Sequence, residues 1–305
     1  NGKPLKRKSI ITMMAKYQTI SFNGLGYDLP IVTAALMGYD NQALKNLSDR
    51  IITTTQPSWL ICREQNIDVP QWDHIDLMEV APGQASLKIY GGRLRSKRMQ
   101  DLPIAPSASI TDDLRGPMRE YCHNDLHTTR DLCKELTPQI ELREKMSEQY
   151  GMDLRSKSDA QIAETIIKSE LKAKTGKDYK KPKLPDNFSF YYKNPDIVEF
   201  QTDYLREIYQ RIKKTKFELM ASGSVAMPGW LKAEKIALDG ALYQMGIGGL
   251  HSCEKSQFVK PTENQKLFEL DVASYYPNII LQQGLAPPSM GKPFLDVYQS
   301  IVNRR

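Results

Sequence analysis

The feature that most constrains this chain is a change of period, repeated several times between residues 8 and 150. Short runs of β-branched and aromatic residues alternate with longer runs whose apolar positions recur every three or four residues, which predicts an α/β layer structure. Residues 17–22, with Thr19, Ile20 and Phe22, read as a strand. Asn23, Gly24 and Gly26 then make a turn, and residues 29–37 read as a helix closed by Gly38 in the place of a C-cap glycine. A second strand is expected over 74–80, broken by Pro82 and Gly83. A helix opening at Ser86 is expected to end at Gly91 and Gly92. After a loop rich in Pro and Ser, a long helix is expected over 115–136, with a buried stripe through Met118, Cys122, Thr129, Cys133 and Leu136.

Further along, Ser158 and Gln161 have the spacing of a capping box, and Ile162, Ile166, Ile167 and Leu171 give the helix behind them an apolar face. A lysine-rich linker follows, with Lys172, Lys174, Lys177, Lys180, Lys181 and Lys183. Leu205, Ile208, Ile212 and Leu219 predict an amphipathic helix over 201–220. The period then shortens to that of strands: residues 235–238 and 241–244 flank Asp239 and Gly240, a two-residue type I′ hairpin signal. This divides the chain into 1–150, a helical connector over 151–225, and a β-rich segment over 226–305.

Composition narrows the class without naming it. With 305 residues, 40% apolar and 26% charged, the chain is neither a disordered tail nor a collagen-like one. No run approaches the ~18 uninterrupted apolar residues a membrane span needs. Cys62, Cys122, Cys133 and Cys253 show no CxxC spacing, which argues against a disulfide framework or a zinc site and suits a reducing, cytoplasmic setting. His123 and His127, four apart on a helix, lack the further ligands a zinc site requires. A net charge of +6 permits an anionic partner without requiring one.

The sharpest local pattern is Asp271, Ser274, Tyr275, Tyr276, Pro277 and Asn278, behind the apolar-rich residues 267–270. A strand ending on a carboxylate, followed by a helix whose first turn is pre-set by Pro277, makes a corner able to hold a divalent metal and a triphosphate together. A lone Asp in such a place is more often a helix cap. The whole string, however, resembles motif A of family B DNA polymerases, D-x-x-S-L-Y-P-S, with Tyr275 in place of Leu and Asn278 in place of Ser. The resemblance implies that Asp271 is a ligand of the catalytic metals. It implies that the backbone of Ser274, Tyr275 and Tyr276 cradles the phosphates of the incoming nucleotide, and that Tyr276 is the plate that excludes a 2′-hydroxyl.

That family carries a 3′-to-5′ exonuclease domain upstream. Asn23, Tyr27 and Asp28 resemble its second exonuclease motif, N-x(2,3)-F/Y-D, and Tyr121 with Asp125 resembles the third, Y-x-x-x-D. Spacing of four on a helix puts Tyr121 and Asp125 on one face. By resemblance Asp28 and Asp125 are metal ligands, Tyr121 orients the attacking water and Asn23 contacts DNA. Asp76 and the segment from Ser86 to Lys88 look like the strand and helix that link these motifs. Tyr243, Gly248 and Gly249 resemble a Y-x-G-G element that touches the template, although the spacing is longer and a plain tight turn explains the glycines equally well.

The resemblance runs from about Ser21 to Pro288 and is closest to bacteriophage enzymes. It implies an RNase-H-like exonuclease domain lacking its first strands, a connector and the start of a polymerase palm. It also implies magnesium or manganese as cofactor, primer-template DNA and deoxynucleoside triphosphates as partners, and a cytoplasm, that of the host for a phage protein, as the location. Two-metal hydrolysis needs several carboxylates, yet the sequence contains no D-x-E, and no D-T-D follows Asp271. The chain opens at Asn1 and stops at Arg305, so the expectation is a fragment, inactive alone, with the missing segments supplied in trans or lost. The rival reading is a non-catalytic DNA-binding replication module or a subunit of a split polymerase. A stand-alone nuclease would have no use for the motif A region.

Overall fold

The computed structural model describes residues 5–180, 182–185, 187–193, 198–220 and 223–304; Lys181 of the lysine-rich linker lies outside the described residues. The fold is mixed α/β, rich in helix with small sheets. Contacts divide the chain into two units, residues 1–178 with 290–305 and residues 179–289. Neither division falls at 150 or 225.

The first unit opens with α1 (Arg7–Lys16) and β1 (Thr19–Ser21), and a π-turn over Gly24–Asp28 leads into α2 (Leu29–Met37). Gly38 caps α2 at φ 106°, a left-handed conformation that glycine adopts at no steric cost. Next come α3 (Asn41–Thr53), α4 (Ser58–Glu64), β2 (His74–Asp76) and α5 (Leu77–Val80). β1 and β2 pair in parallel, with Ser21 opposite Asp76. The expected strand over 74–80 stops at Asp76 because its carboxylate accepts from the Met78 N–H at 3.1 Å and caps α5.

α6 (Leu87–Arg93) continues through Gly91 and Gly92 rather than ending there. Gly91 is where α6 meets α7 (Arg115–Glu135): a Cβ on it would lie 3.1 Å from Thr128 Cγ2 and 3.3 Å from Met99 Sδ. The buried face of α7 is also offset from the expected stripe. Thr128 and Leu132 are buried, with Leu136 just beyond the helix, whereas Cys122 is exposed. Ile75, Leu77, Val80, Tyr90, Leu132 and Leu136 form one core cluster; Ala34, Leu47, Ile61, Cys62 and Ile67 form a second.

α8 (Thr137–Tyr150) is followed by α9 (Asp159–Thr175), where Ser158 and Gln161 make both bonds of the expected capping box. Arg143, buried on α8, ties the entry to α9: its guanidinium donates to the Lys157 carbonyl at 3.0 Å and to Asp159 at 2.5 Å.

The second unit contains β3 (Ser189–Tyr191), α10 (Asp203–Lys214), β4 (Lys216–Glu218) and α11 (Gly229–Ala233). The expected helix over 201–220 is therefore shorter. Thr215 turns extended and Phe217 pairs with Phe190 across the antiparallel β3–β4 ladder, their rings stacked at 5.8 Å. Leu219 lies in a β-bridge with Val225. Ile208, Ile212, Phe217, Leu231 and Ile236 make the core of this unit. β5 (Ile236–Leu238), β6 (Ala241–Met245) and β7 (Leu250–Ser252) form an antiparallel meander. Asp239 (φ 49°) and Gly240 (φ 81°) turn the first hairpin with the positive angles of a type I′ turn.

α12 (Tyr275–Gln282) forms where the motif predicts a helix. The strand expected before Asp271 does not: residues 267–272 adopt no regular secondary structure and join no ladder, and Leu267, Phe268, Leu270 and Val272 are exposed. A strand needs a neighbour for its N–H and C=O groups, and among the described residues none lines up with this segment. The last helix, α13 (Lys292–Asn303), belongs to the first unit, joined to α9 by ion pairs from Lys174 to Asp296 and from Arg304 to Glu170, 2.7 and 2.6 Å.

Candidate functional site

The turn that carries Asp28 is held from below by a single carboxylate. Asp76, at the end of β2 and 2% exposed, accepts from the Asn23 N–H at 2.7 Å through one oxygen and from the Leu25 N–H at 2.9 Å through the other. Its own N–H donates to Ser156 Oγ at 2.9 Å, and that hydroxyl donates to the His74 carbonyl at 3.2 Å. Beside it the His74 ring lies between two hydroxyls, with Nδ1 2.8 Å from Thr19 Oγ1 and Nε2 2.9 Å from Ser21 Oγ. Burial pulls the His74 pKa down, against the opposing pull of Asp76 and Asp73.

Two glycines are required by this packing. A Cβ on Gly24 would lie 1.9 Å from Ser21 Oγ, and one on Gly26 would lie 2.4 Å from Asn23 Oδ1. Asn23 itself takes the left-handed conformation at φ 63°, which Asn tolerates better than most residues. Asn23, expected to contact DNA, thus gives its backbone to Asp76 and its side chain to the space above Gly26.

Asp28 closes the turn at the start of α2 with an exposed side chain that caps no helix. Protein packed behind it raises its pKa, with a smaller push from the Asp76 charge and a counter-pull from its own backbone N–H. Its exposure means that water screens these effects.

The second cluster is on α7. Tyr121 and Asp125 share a face one turn apart, and Lys88 of α6 reaches the same neighbourhood. Burial raises the Tyr121 pKa first; the bond to Asp125 and its charge add to this, and Lys88 opposes it. Lys88 is itself held up chiefly by its 2.6 Å pairing with Asp101, with Tyr121 and Asp125 as lesser contributors. A cavity of about 190 Å³ opens beside Tyr121, between Gln100, Asp101, Pro103 and Pro117.

The second unit holds the remaining expected residues. Asp271 is exposed. Ser274 is left-handed at φ 52° and hands the chain into α12, whose Asn278 N–H bonds back to the Ser274 carbonyl at 2.9 Å. Tyr275 and Tyr276 meet edge to face at 5.5 Å, and the Tyr276 hydroxyl donates to the Gly248 carbonyl at 3.4 Å. Gly248 and Gly249 lie between β6 and β7, while Tyr243 packs its ring against the core. Nothing lies within 4 Å of the position a Cβ would take on Gly248. The structure therefore brings Tyr276 beside Gly248, a contact the sequence did not reveal.

Among the described residues no three His, Cys, Asp or Glu side chains come together to hold a metal ion. Magnesium is often held by one or two carboxylates, several waters and substrate phosphates, and an exposed Asp28 on a hydrogen-bonded turn fits that open mode, not a closed cage. No helix among the described residues is long and apolar enough to cross a membrane. No family model, no curated protein and no solved structure matches this chain.

Proposed function

We propose that this chain is part of a family B DNA polymerase with a 3′-to-5′ exonuclease, acting on primer-template DNA by metal-assisted phosphoryl transfer with magnesium or manganese. The observation that carries the reading is Tyr121 and Asp125 on one face of α7, with Lys88, paired to Asp101 at 2.6 Å, close enough to feel the charges of both. A phenol that can orient water, a carboxylate that can take a metal and an ammonium that can meet a phosphate are the groups phosphodiester hydrolysis uses. Parallel pairing of β1 with β2, with Asp28 just past the first strand, is compatible with an RNase-H-like sheet. On this reading Asp28 and Asp125 bind metal at the nuclease site and Asp271 does so at the polymerase site. Ser274, Tyr275 and Tyr276 receive the deoxynucleoside triphosphate; Asn23, Gly248 and Gly249 approach DNA. Tyr243, packed on the core, would act through the β6–β7 hairpin. A cytoplasmic location belongs to the same proposal.

A second reading, a non-catalytic DNA-binding module, is favoured by the lack of a three-ligand metal cluster among the described residues. One titration separates the two. The purified chain is titrated against a fluorescent primer-template across a salt series, with and without Mn2+, alongside Asp28→Ala and Asp125→Ala. The polymerase–exonuclease reading expects salt-sensitive binding that Mn2+ strengthens at least three-fold, a gain both variants lose. Metal-independent binding that survives both substitutions points to the second reading, and no binding at low salt overturns both.

A further inference from the structure

We propose that Asp76 is a positioning residue for Asp28, holding the turn from Asn23 to Asp28 so that the Asp28 carboxylate is presented to a divalent metal. The inference rests on the reading of Asp28 as a metal ligand. Its basis is geometric. A carboxylate 2% exposed needs partners for its charge, and Asp76 finds them in backbone N–H groups of two segments: Asn23 and Leu25 of the turn at 2.7 and 2.9 Å, and Met78 of α5 at 3.1 Å. One side chain thereby fixes the turn relative to the parallel β1–β2 pair. The Ser156 hydroxyl anchors Asp76 from behind at 2.9 Å. Leu25 lies inside the π-turn that ends at Asp28, so the bond to its N–H is set three residues from the presented carboxylate. A helix cap for α5 would use only the bond to Met78, and the two bonds to the turn are extra to that purpose.

The test uses Mn2+ as probe on the full chain, reading paramagnetic broadening of the amide resonances of Tyr27, Asp28 and Leu29. Asp28→Ala defines loss of the site. Asp76→Asn keeps the shape and one acceptor but turns an N–H donor toward the Leu25 N–H. The expected result is an Mn2+ dissociation constant at least five-fold weaker than wild type, with α7 and α9 amides unshifted. Ser156→Ala, which leaves the carboxylate in place and removes its anchor, is expected to weaken binding about two-fold, and it decides the matter should Asp76→Asn fail to fold. Wild-type Mn2+ affinity in Asp76→Asn, or in Ser156→Ala where that variant decides, overturns the inference alone. Absence of Asp28-dependent broadening in the wild type overturns the reading of Asp28, and the inference with it.

Discussion

The Tyr276 hydroxyl reaches the Gly248 carbonyl, 28 residues away, at 3.4 Å. That distance is at the long end for an O–H donor, and the ring is 67% exposed, so the bond marks proximity more than it supplies stability. Tyr276→Phe is expected to shift the urea midpoint by less than about 0.5 kcal/mol equivalent, as surface substitutions usually do. A larger loss would show that the bond is an anchor for α12.

Gly24 and Gly248 predict opposite outcomes for the same substitution. Gly24→Ala places a methyl 1.9 Å from Ser21 Oγ, within the network that also holds His74. Strain of this kind costs about 1–3 kcal/mol, and thermal melts should show it. Gly248→Ala meets no atom within 4 Å and should melt within about 0.5 kcal/mol of wild type. If Gly248→Ala nonetheless weakens DNA binding, the open face of that glycine is a contact surface.

How much of this was legible in the sequence depended on how local the cause was. The capping box at Ser158, the cap at Gly38 and the turn at Asp239 and Gly240 depend on a few neighbouring residues, and each forms as the pattern requires. That Tyr121 and Asp125 share one face of α7 was readable for the same reason, being one helical turn. Asp76 was visible as the end of a strand but not as a clamp, because Asn23 lies 53 residues before it and only the β1–β2 register brings them together. The docking of α13 on α9 packs Ile301 against Ile162 and Ile166 and pairs side chains 122 and 134 residues apart in sequence, so it had no local signal. The segment before Asp271 shows the reverse case: its residues favour a strand, yet a strand takes its stability from a neighbour.

The offset of the α7 stripe gives a direct comparison. Leu132 is 2% exposed in a cluster with Ile75, Leu77 and Tyr90, whereas Cys122 is exposed. Leu132→Ala should therefore cost about 2–5 kcal/mol through loss of buried area and the cavity left behind. Cys122→Ser should be close to neutral. Urea unfolding of the two variants checks this, and equal effects would place the buried face back on the stripe through Cys122.

The raised pKa of Asp28 makes a pH prediction whose sign is fixed. With the folded value above the unfolded one, Asp28 costs no stability at pH below the unfolded pKa, where it is protonated in both states. The cost appears as pH rises through the folded pKa and the folded state must hold the charge. Asp28→Asn, which never ionises, should therefore melt slightly higher than wild type at pH 7 without metal, and level with it near pH 3. Because the side chain is exposed, the gain should stay below about 0.5 kcal/mol. Adding Mn2+ should then reverse the order, since a cation stabilises the ionised carboxylate of the wild type by mass action and gives the variant nothing comparable. An Asp28→Asn chain that melts below wild type at pH 7 without metal would mean that the ionised form is the one the turn prefers.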